Sequence, residues 1–262
     1  MNVLELYKRL PRTNCGRCRH RQCMALAVAL ASGTATADEC PELSEEGRSQ
    51  IGSGSGQGDW RESLIADLRA EVAALRFGDV AVGLGAELMD GALAIRCLGR
   101  DFRVSPDGAI AAPGAAGPVS PWMRILLLHY VRTRGAAPLA GRWVSFTELK
   151  SALMKSKSFA RDCEEPLRGL FDRDAAGVER ALERIGAARE PGTPAPVAWK
   201  LHALPKVPVL ILSWPQEEEF PSKCKVLFDA TADRFLDVES LTFLIEGLAK
   251  NLEHGPQAAP HD

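Results

Sequence analysis

Four cysteines within the first forty residues constrain this chain more than any other feature. Cys15, Cys18, Cys23 and Cys40 follow the spacing C-x2-C-x4-C-x16-C. If one site is to use all four thiols, a short loop must fold back against a later segment. Three more cysteines, Cys97, Cys163 and Cys224, stand singly, and the total of seven is odd. An odd count argues against a disulfide framework. The start, MNVLELYKRLPRTNC, has no charged region followed by an apolar one. The expectation is therefore no secretory signal and a cytoplasmic protein whose thiols stay reduced. The three isolated cysteines then read as small buried hydrophobes.

A close group of three thiolates with one remote partner suits an iron–sulfur cluster, whose irons are held by cysteine sulfur. Gly16 lets the backbone approach closely and lets amide N–H groups point at sulfide, which offsets buried negative charge. Zinc is the competing metal. Structural zinc sites usually arrive as two cysteine pairs, whereas here a triad and a singleton replace them. The spacing favours one [4Fe–4S] cluster over a zinc site.

The surrounding residues carry a resemblance. Leu6-Tyr7-Lys8-Arg9-Leu10-Pro11-Arg12-Thr13-Asn14-Cys15-Gly16, then Cys23-Met24-Ala25-Leu26-Ala27, then Cys40-Pro41 with Ser44-Glu45-Glu46, resemble the cluster module of the corrinoid iron–sulfur protein large subunit. The module is also similar to one in the B subunit of the Rnf electron-transport complex. The resemblance covers residues 1–48. It implies one [4Fe–4S] cluster on Cys15, Cys18, Cys23 and Cys40, and a role in passing electrons. A corrinoid cofactor is a possibility that the sequence alone does not support. The family form has glycine directly after the second cysteine; Arg19 stands there in this chain.

The cluster segment is basic. Residues 1–21 hold six Lys or Arg (Lys8, Arg9, Arg12, Arg17, Arg19 and Arg21) against one acid, Glu5. Such charge should stabilise an added electron on an anionic cluster. It also suits docking of an acidic ferredoxin or flavodoxin, or of a corrinoid protein. No aromatic platform interleaves the basic residues, so nucleic acid is not the expected partner. The whole chain carries a formal charge of only −2. No run of 18 apolar residues is present, so no membrane-spanning helix is expected.

After Ile51 the sequence runs GSGSGQGD, a composition typical of flexible linkers. The reading is a cluster module at 1–50, a tether at 51–59, a larger domain at 60–253 and a disordered tail at 254–262. In the first module, helices are expected at Val3–Leu10 and Arg21–Ala31, with Cys40 in a last turn. An amphipathic helix over Trp60–Phe77 should open the large domain, with Leu64, Ile65, Leu68, Val72 and Leu75 as its stripe. Short strands are expected at Ala81–Glu87, Ala92–Leu98, Asp101–Val104 and Ala109–Ala112, split by Asp90-Gly91, Gly99-Arg100 and Pro106-Asp107-Gly108. A helix at Pro121–Val131 has Ser120 before it and proline at its first position. Helical material should fill Phe146–Ile185. Strands follow at Ala198–Ala203, Pro208–Trp214 and Lys225–Asp229, then a helix at Val238–Leu252. The fold class is α+β: a small all-α cluster module and a larger α+β domain with antiparallel strands.

The large domain has phrases rather than catalytic signatures. Leu126-Leu127-Leu128-His129-Tyr130, Gly141 to Phe146, Leu204 to Pro208 and Leu227-Phe228-Asp229 resemble an uncharacterised domain-of-unknown-function family of anaerobic bacteria and archaea. No phosphate-binding glycine motif is present. His129 reads as a core or boundary histidine. His202 is the weaker candidate for a cofactor ligand, and Glu217-Glu218-Glu219 reads as a solvated loop. Trp143, Trp199 and Trp214 read as packing anchors. The chain thus reads more as an electron-transfer or binding protein than as an enzyme. The leading function is one-electron transfer or reductive activation of a cofactor or partner in anaerobic metabolism. The alternative is a redox-sensing or ligand-binding protein in which the cluster is structural.

Overall fold

The computed structural model describes residues 3–31, 35–52, 57–115, 117–135 and 137–255. The chain parts into two compact units, Met1–Leu64 and Ile65–Asp262.

The first unit is helical. Its helices are α1 (Val3–Arg9), α2 (Cys23–Ala31) and α3 (Glu45–Gly52), with a 3-10 turn at Ala37–Glu39. Pro11 follows α1 and cannot extend it. Leu6 and Leu10 pack with Leu26, Ala27 and Leu30 of α2 and with Leu43 and Ile51. The same core contains the side chains of Cys23 and Cys40. The helix α3 is not foreseen in the sequence reading; it opens with Glu45 and Glu46, acids that suit a helix N-terminus. Residues 53–56, the middle of the expected tether, lie outside the described residues. Ile51 and Gly52 belong to α3, and residues 57–59 belong to α4 (Gln57–Ala73). Of the expected tail, His254 ends the last helix and residues 256–262 lie outside the described residues.

The second unit is built on two antiparallel sheets. Ile65, Leu68 and Val72 of α4 are buried at helical spacing. The expected strand at Ala81–Glu87 is not formed. Residues 77–84 are instead helix α5 (Phe77–Leu84), and only β1 (Glu87–Met89) is extended. Phe77, Val80, Ala81 and Leu84 are buried at positions i, i+3, i+4 and i+7, so the helical period wins. The two glycines of this stretch, Gly83 and Gly85, serve the helix and a backbone crossing. Gly85 takes φ +63° and ends α5. Gly83 lies where two backbones cross: a Cβ on Gly135 would sit 2.1 Å from the Gly83 carbonyl carbon.

β1 pairs with β2 (Ala92–Cys97), β2 with β3 (Arg100–Val104) and β3 with β4 (Ile110–Ala111). Asp90 and Gly91 turn the first hairpin with φ +51° and +79°, the left-handed pair that two-residue hairpins need. The second hairpin turns at Leu98-Gly99, one residue earlier than expected. Helix α6 (Pro121–Arg132) follows, with the Met123 N–H donating to the Ser120 hydroxyl.

The second sheet has the order β5-β9-β8-β7-β6. Its strands are β5 (Trp143–Ser145), β6 (Ala188–Arg189), β7 (Val197–Leu204), β8 (Val207–Trp214) and β9 (Lys223–Asp229). The central strand β8 is buried along nearly its whole length, which fits its continuous apolar run. Pro208 is tolerated there because the register shifts between His202 and Leu204 opposite it. The edge strands β5 and β6, three and two residues long, are not foreseen in the sequence reading.

Between β5 and β6 runs broken helix: 3-10 turns, α7 (Ser156–Phe159), a π segment at Ala160–Glu164, and α8 (Glu165–Arg184) with non-helical backbone at Asp174. The last helix is α9 (Val238–His254), capped by Asp237. Phe146, Phe159 and Phe228 pack face and edge at 4.0–6.2 Å between ring centroids. Tyr130 is fully buried; its hydroxyl donates to Leu84 O at 2.6 Å and accepts from Lys206 N–H at 3.0 Å. One oxygen thereby ties α5, α6 and the β7–β8 turn. No helix among the described residues is long and apolar enough to cross a membrane.

Candidate iron–sulfur site

The chain between α1 and α2 is a loop that winds through left-handed backbone. Arg12, Asn14, Gly16 and Arg21 have φ of +58°, +48°, +70° and +56°. Left-handed residues recurring in a short loop are the kind of backbone from which anion-binding concavities are built. The loop is held by its own side chain: Asn14 Oδ1 accepts the Cys23 N–H at 2.8 Å. That bond fixes the loop to the first residue of α2.

The Cys15–Cys18 loop, the start of α2 and the Cys40-Pro41 segment ring one recess. Cys15, Cys18, Cys23 and Cys40 all line it, with Asn14 and Gly16. Exposure grades across the set: Cys15 is exposed, Cys18 intermediate, and Cys23 and Cys40 buried. Cys23 is the first residue of α2. The Arg48 guanidinium donates to Cys40 O at 3.2 Å and steadies the remote segment. Burial pushes the Cys40 thiol above its ordinary value, the Glu42 backbone pulls it back, and Cys18, Cys23 and Cys15 push it up again. Thiols that repel one another when ionised are a donor set that a bound cation core would relieve. A lone zinc ion draws thiolates to about 2.3 Å of one point. Among the described residues no three His, Cys, Asp or Glu side chains stand close enough to hold a metal ion as they are, so the four thiols line one recess without forming a closed ligand set.

Two acids from the Cys40 side answer the basic loop. Arg17 pairs with Glu42, and Arg19 pairs with Glu39 at 2.7 Å. His20 Nε2 also lies 3.1 Å from Glu39. Glu39 sits below the usual carboxylate range: the Thr36 N–H lowers it most, burial opposes this, and His20 and Arg19 lower it further. The count of six cations to one acid is true of residues 1–21 alone; folding adds counter-charges from twenty residues on. These pairs close the loop over the recess, and no spacing rule in the sequence announces them.

The other candidates separate from the site. Cys97, Cys163 and Cys224 are buried singly in the large unit; burial pushes Cys97 and Cys224 up to about 12 and Cys163 still higher. These are inert thiols. His202 is exposed on β7, with Nδ1 3.2 Å from Pro205 O. Glu217, Glu218 and Glu219 form an exposed turn closed by Glu217–Phe220 backbone bonds. His129 lies near the surface, with Nδ1 3.2 Å from the Ser240 hydroxyl. Trp199 is buried, and Trp143 and Trp214 are half-buried against Ala198, Leu210 and Leu212.

Comparison with known proteins follows this division. A family model described as "Domain of unknown function (DUF3786)" matches residues 76–251, more than half the chain. The chain belongs to the DUF3786 family. In this DUF3786 protein the matched part begins at the residue that precedes α5 and ends within α9. A second model, described as "Putative Fe-S cluster", matches residues 10–42, which include all four cysteines of the recess. The same end of the chain is 48% identical over 48 residues to the corrinoid/iron-sulfur protein large subunit of Moorella thermoacetica, covering 18% of this chain and 11% of that protein. It is 39% identical over 51 residues to the acetyl-CoA decarbonylase/synthase complex subunit gamma of Methanothermobacter thermautotrophicus, covering 20% and 11%. The chain spans about a tenth of the length of these curated relatives. No solved structure matches it.

Proposed function

We propose that Cys15, Cys18, Cys23 and Cys40 ligate one [4Fe–4S] cluster and that this DUF3786 protein uses it to pass single electrons. The observation that carries the reading is the recess: four thiols from two separate segments line one cavity, beside a loop with left-handed backbone at Arg12, Asn14, Gly16 and Arg21. The bound cluster would supply one-electron chemistry. The protein's part is to hold four thiolates, shield Cys23 and Cys40 from water, and leave the Cys15 edge open for exchange with a partner.

The partner is a cytoplasmic redox protein: an acidic ferredoxin or flavodoxin, or a corrinoid protein in anaerobic metabolism. Lys8, Arg12 and Arg21 supply the positive charge for docking, since Arg17 and Arg19 are engaged by Glu42 and Glu39. The likeness to proteins named for corrinoid and acetyl-CoA chemistry supports this setting. Anaerobic purification with iron, sulfide and cobalt analysis, EPR and a redox titration tests it. Four irons per chain and a reversible one-electron signal are expected. A cluster that no physiological reductant can reduce would sink the electron-transfer reading.

A second reading has its own observation. Cys23 and Cys40 belong to the hydrophobic core of the first unit, so ligation there would also hold the fold. In that case the cluster is structural or a redox gauge, and its removal changes ligand or partner binding without measurable electron transfer.

A further inference from the structure

The large unit holds a pocket enclosed by the end of α6, the loop after β5 and the entry to α9. Phe235 and Leu236, both buried, form its apolar side. Its charged lining is Arg132, Lys150 and Arg234 against Asp233 and Asp237, with His129 beside them.

The two carboxylates are already committed. Asp233 Oδ2 accepts the Lys150 backbone N–H at 2.9 Å. Asp237 Oδ1 accepts the Ser240 N–H at 2.8 Å, and its Oδ2 lies 3.6 Å from His129 Nδ1. Arg132 pairs at 3.5 Å with Glu71. Among the described residues, the Lys150 ammonium and the Arg234 guanidinium are in no ion pair. The lining thus carries three cations against two carboxylates, and each carboxylate turns an oxygen to a backbone N–H. Two backbone features add to this. Val238, the first residue of the 17-residue α9, lines the pocket and brings the positive end of that helix to it. Ser151, also in the lining, has φ +62°. Serine rarely adopts this conformation, and such outliers gather at ligand clamps. His129 Nδ1 lies 3.2 Å from the Ser240 hydroxyl and 3.6 Å from Asp237 Oδ2.

We propose that this pocket binds the oxyanion group, phosphate or carboxylate, of a small ligand, held by Lys150 and Arg234 at the entry to α9. The site is separate from the cluster and does not depend on it.

Calorimetric titration of the full chain with pyrophosphate and with citrate tests the proposal. Saturable binding of at least one is expected; pyrophosphate alone identifies a phosphate ligand, and citrate alone a carboxylate. Lys150→Gln with Arg234→Gln should weaken binding about tenfold or more, as loss of charge-assisted contacts does. Both side chains are exposed, so the double variant should fold, which circular dichroism checks. Arg180→Gln with Arg184→Gln, on the exposed side of α8, should leave binding unchanged. Equal loss in both double variants, or no saturable binding of either probe, overturns the proposal. Cys40→Ser should bind as the parent does, so a failure of the cluster reading leaves this result intact.

Discussion

The two units hold themselves together by opposite means. The first unit's core is small, is made largely of alanine and leucine, and includes two of the candidate ligands. Its helices are seven to nine residues long. A core of that size rarely suffices alone, and small folds add a metal or a disulfide. The DUF3786 unit has a buried central strand, packed phenylalanines and fully buried polar anchors such as Tyr130. One unit places its chemistry and its stability in the same side chains, and the other keeps them apart.

The sharpest way to break that contrast is Cys40→Ser. In the anaerobically prepared protein it should abolish the cluster's visible absorption and EPR signal and melt the helices of the first unit. The thermal transition of the DUF3786 unit should not move. If that transition shifts as well, the units are not separable.

The reverse perturbation is Asp229→Ala. This carboxylate is 3% exposed and accepts from Ala140 N–H, Gly141 N–H, Thr231 N–H and the Thr231 hydroxyl. Burial raises its carboxyl, but these donors outweigh that and hold it below its ordinary value. Removing it orphans buried donors, and urea unfolding should show the large unit destabilised by about 3 kcal/mol. Iron content per chain should stay the same.

Acid should act on the large unit next. The His129 ring beside it holds the Asp237 carboxyl far below its ordinary value, opposed by burial and helped by the Ser240 N–H. A group depressed in the folded state contributes stability above its unfolded value, about 3.9 for aspartate, and loses it as pH falls further. The melting temperature of the large unit should therefore drop below about pH 4. Asp237→Asn should lower the neutral-pH value and flatten that drop. An unchanged acid slope in the variant would remove Asp237 from the account.

The smallest effect sharpens the site itself. Asn14→Gly keeps the left-handed backbone but deletes the bond to Cys23 N–H. It should cost about 1 kcal/mol and speed cluster loss to a chelator. Asn14→Ala adds backbone strain and should be worse. Equal lability of the two variants would show that conformation at residue 14 contributes nothing.

The meeting of the four cysteines at one recess was legible because their spacing is short and local. The hairpins around Asp90-Gly91 and Pro106-Asp107-Gly108 were legible for the same local reason. Helix α5 was not, because Gly83 and Gly85 look like turn residues until Gly135 is seen crossing Gly83. The edge strands β5 and β6 carry too few residues to show a period. The Glu39 and Glu42 pairs with Arg19 and Arg17 span twenty residues or more, and only folding reveals them.

The sheet order has a consequence for how the chain is made. Strand β5 pairs only with β9: Trp143 lies opposite Asp229, roughly 86 residues later. The hairpins β7–β8 and β8–β9 can form as soon as each is synthesised. Trp143 and Val144, by contrast, must wait for the C-terminal third of the chain to leave the ribosome. During that interval an apolar edge segment has no partner, and Asp229 has not yet arrived to receive the N–H groups of Ala140 and Gly141. The large unit thus cannot close at β5 until residue 229 has emerged, and a nascent chain stalled before that residue is where misfolding of this protein should begin.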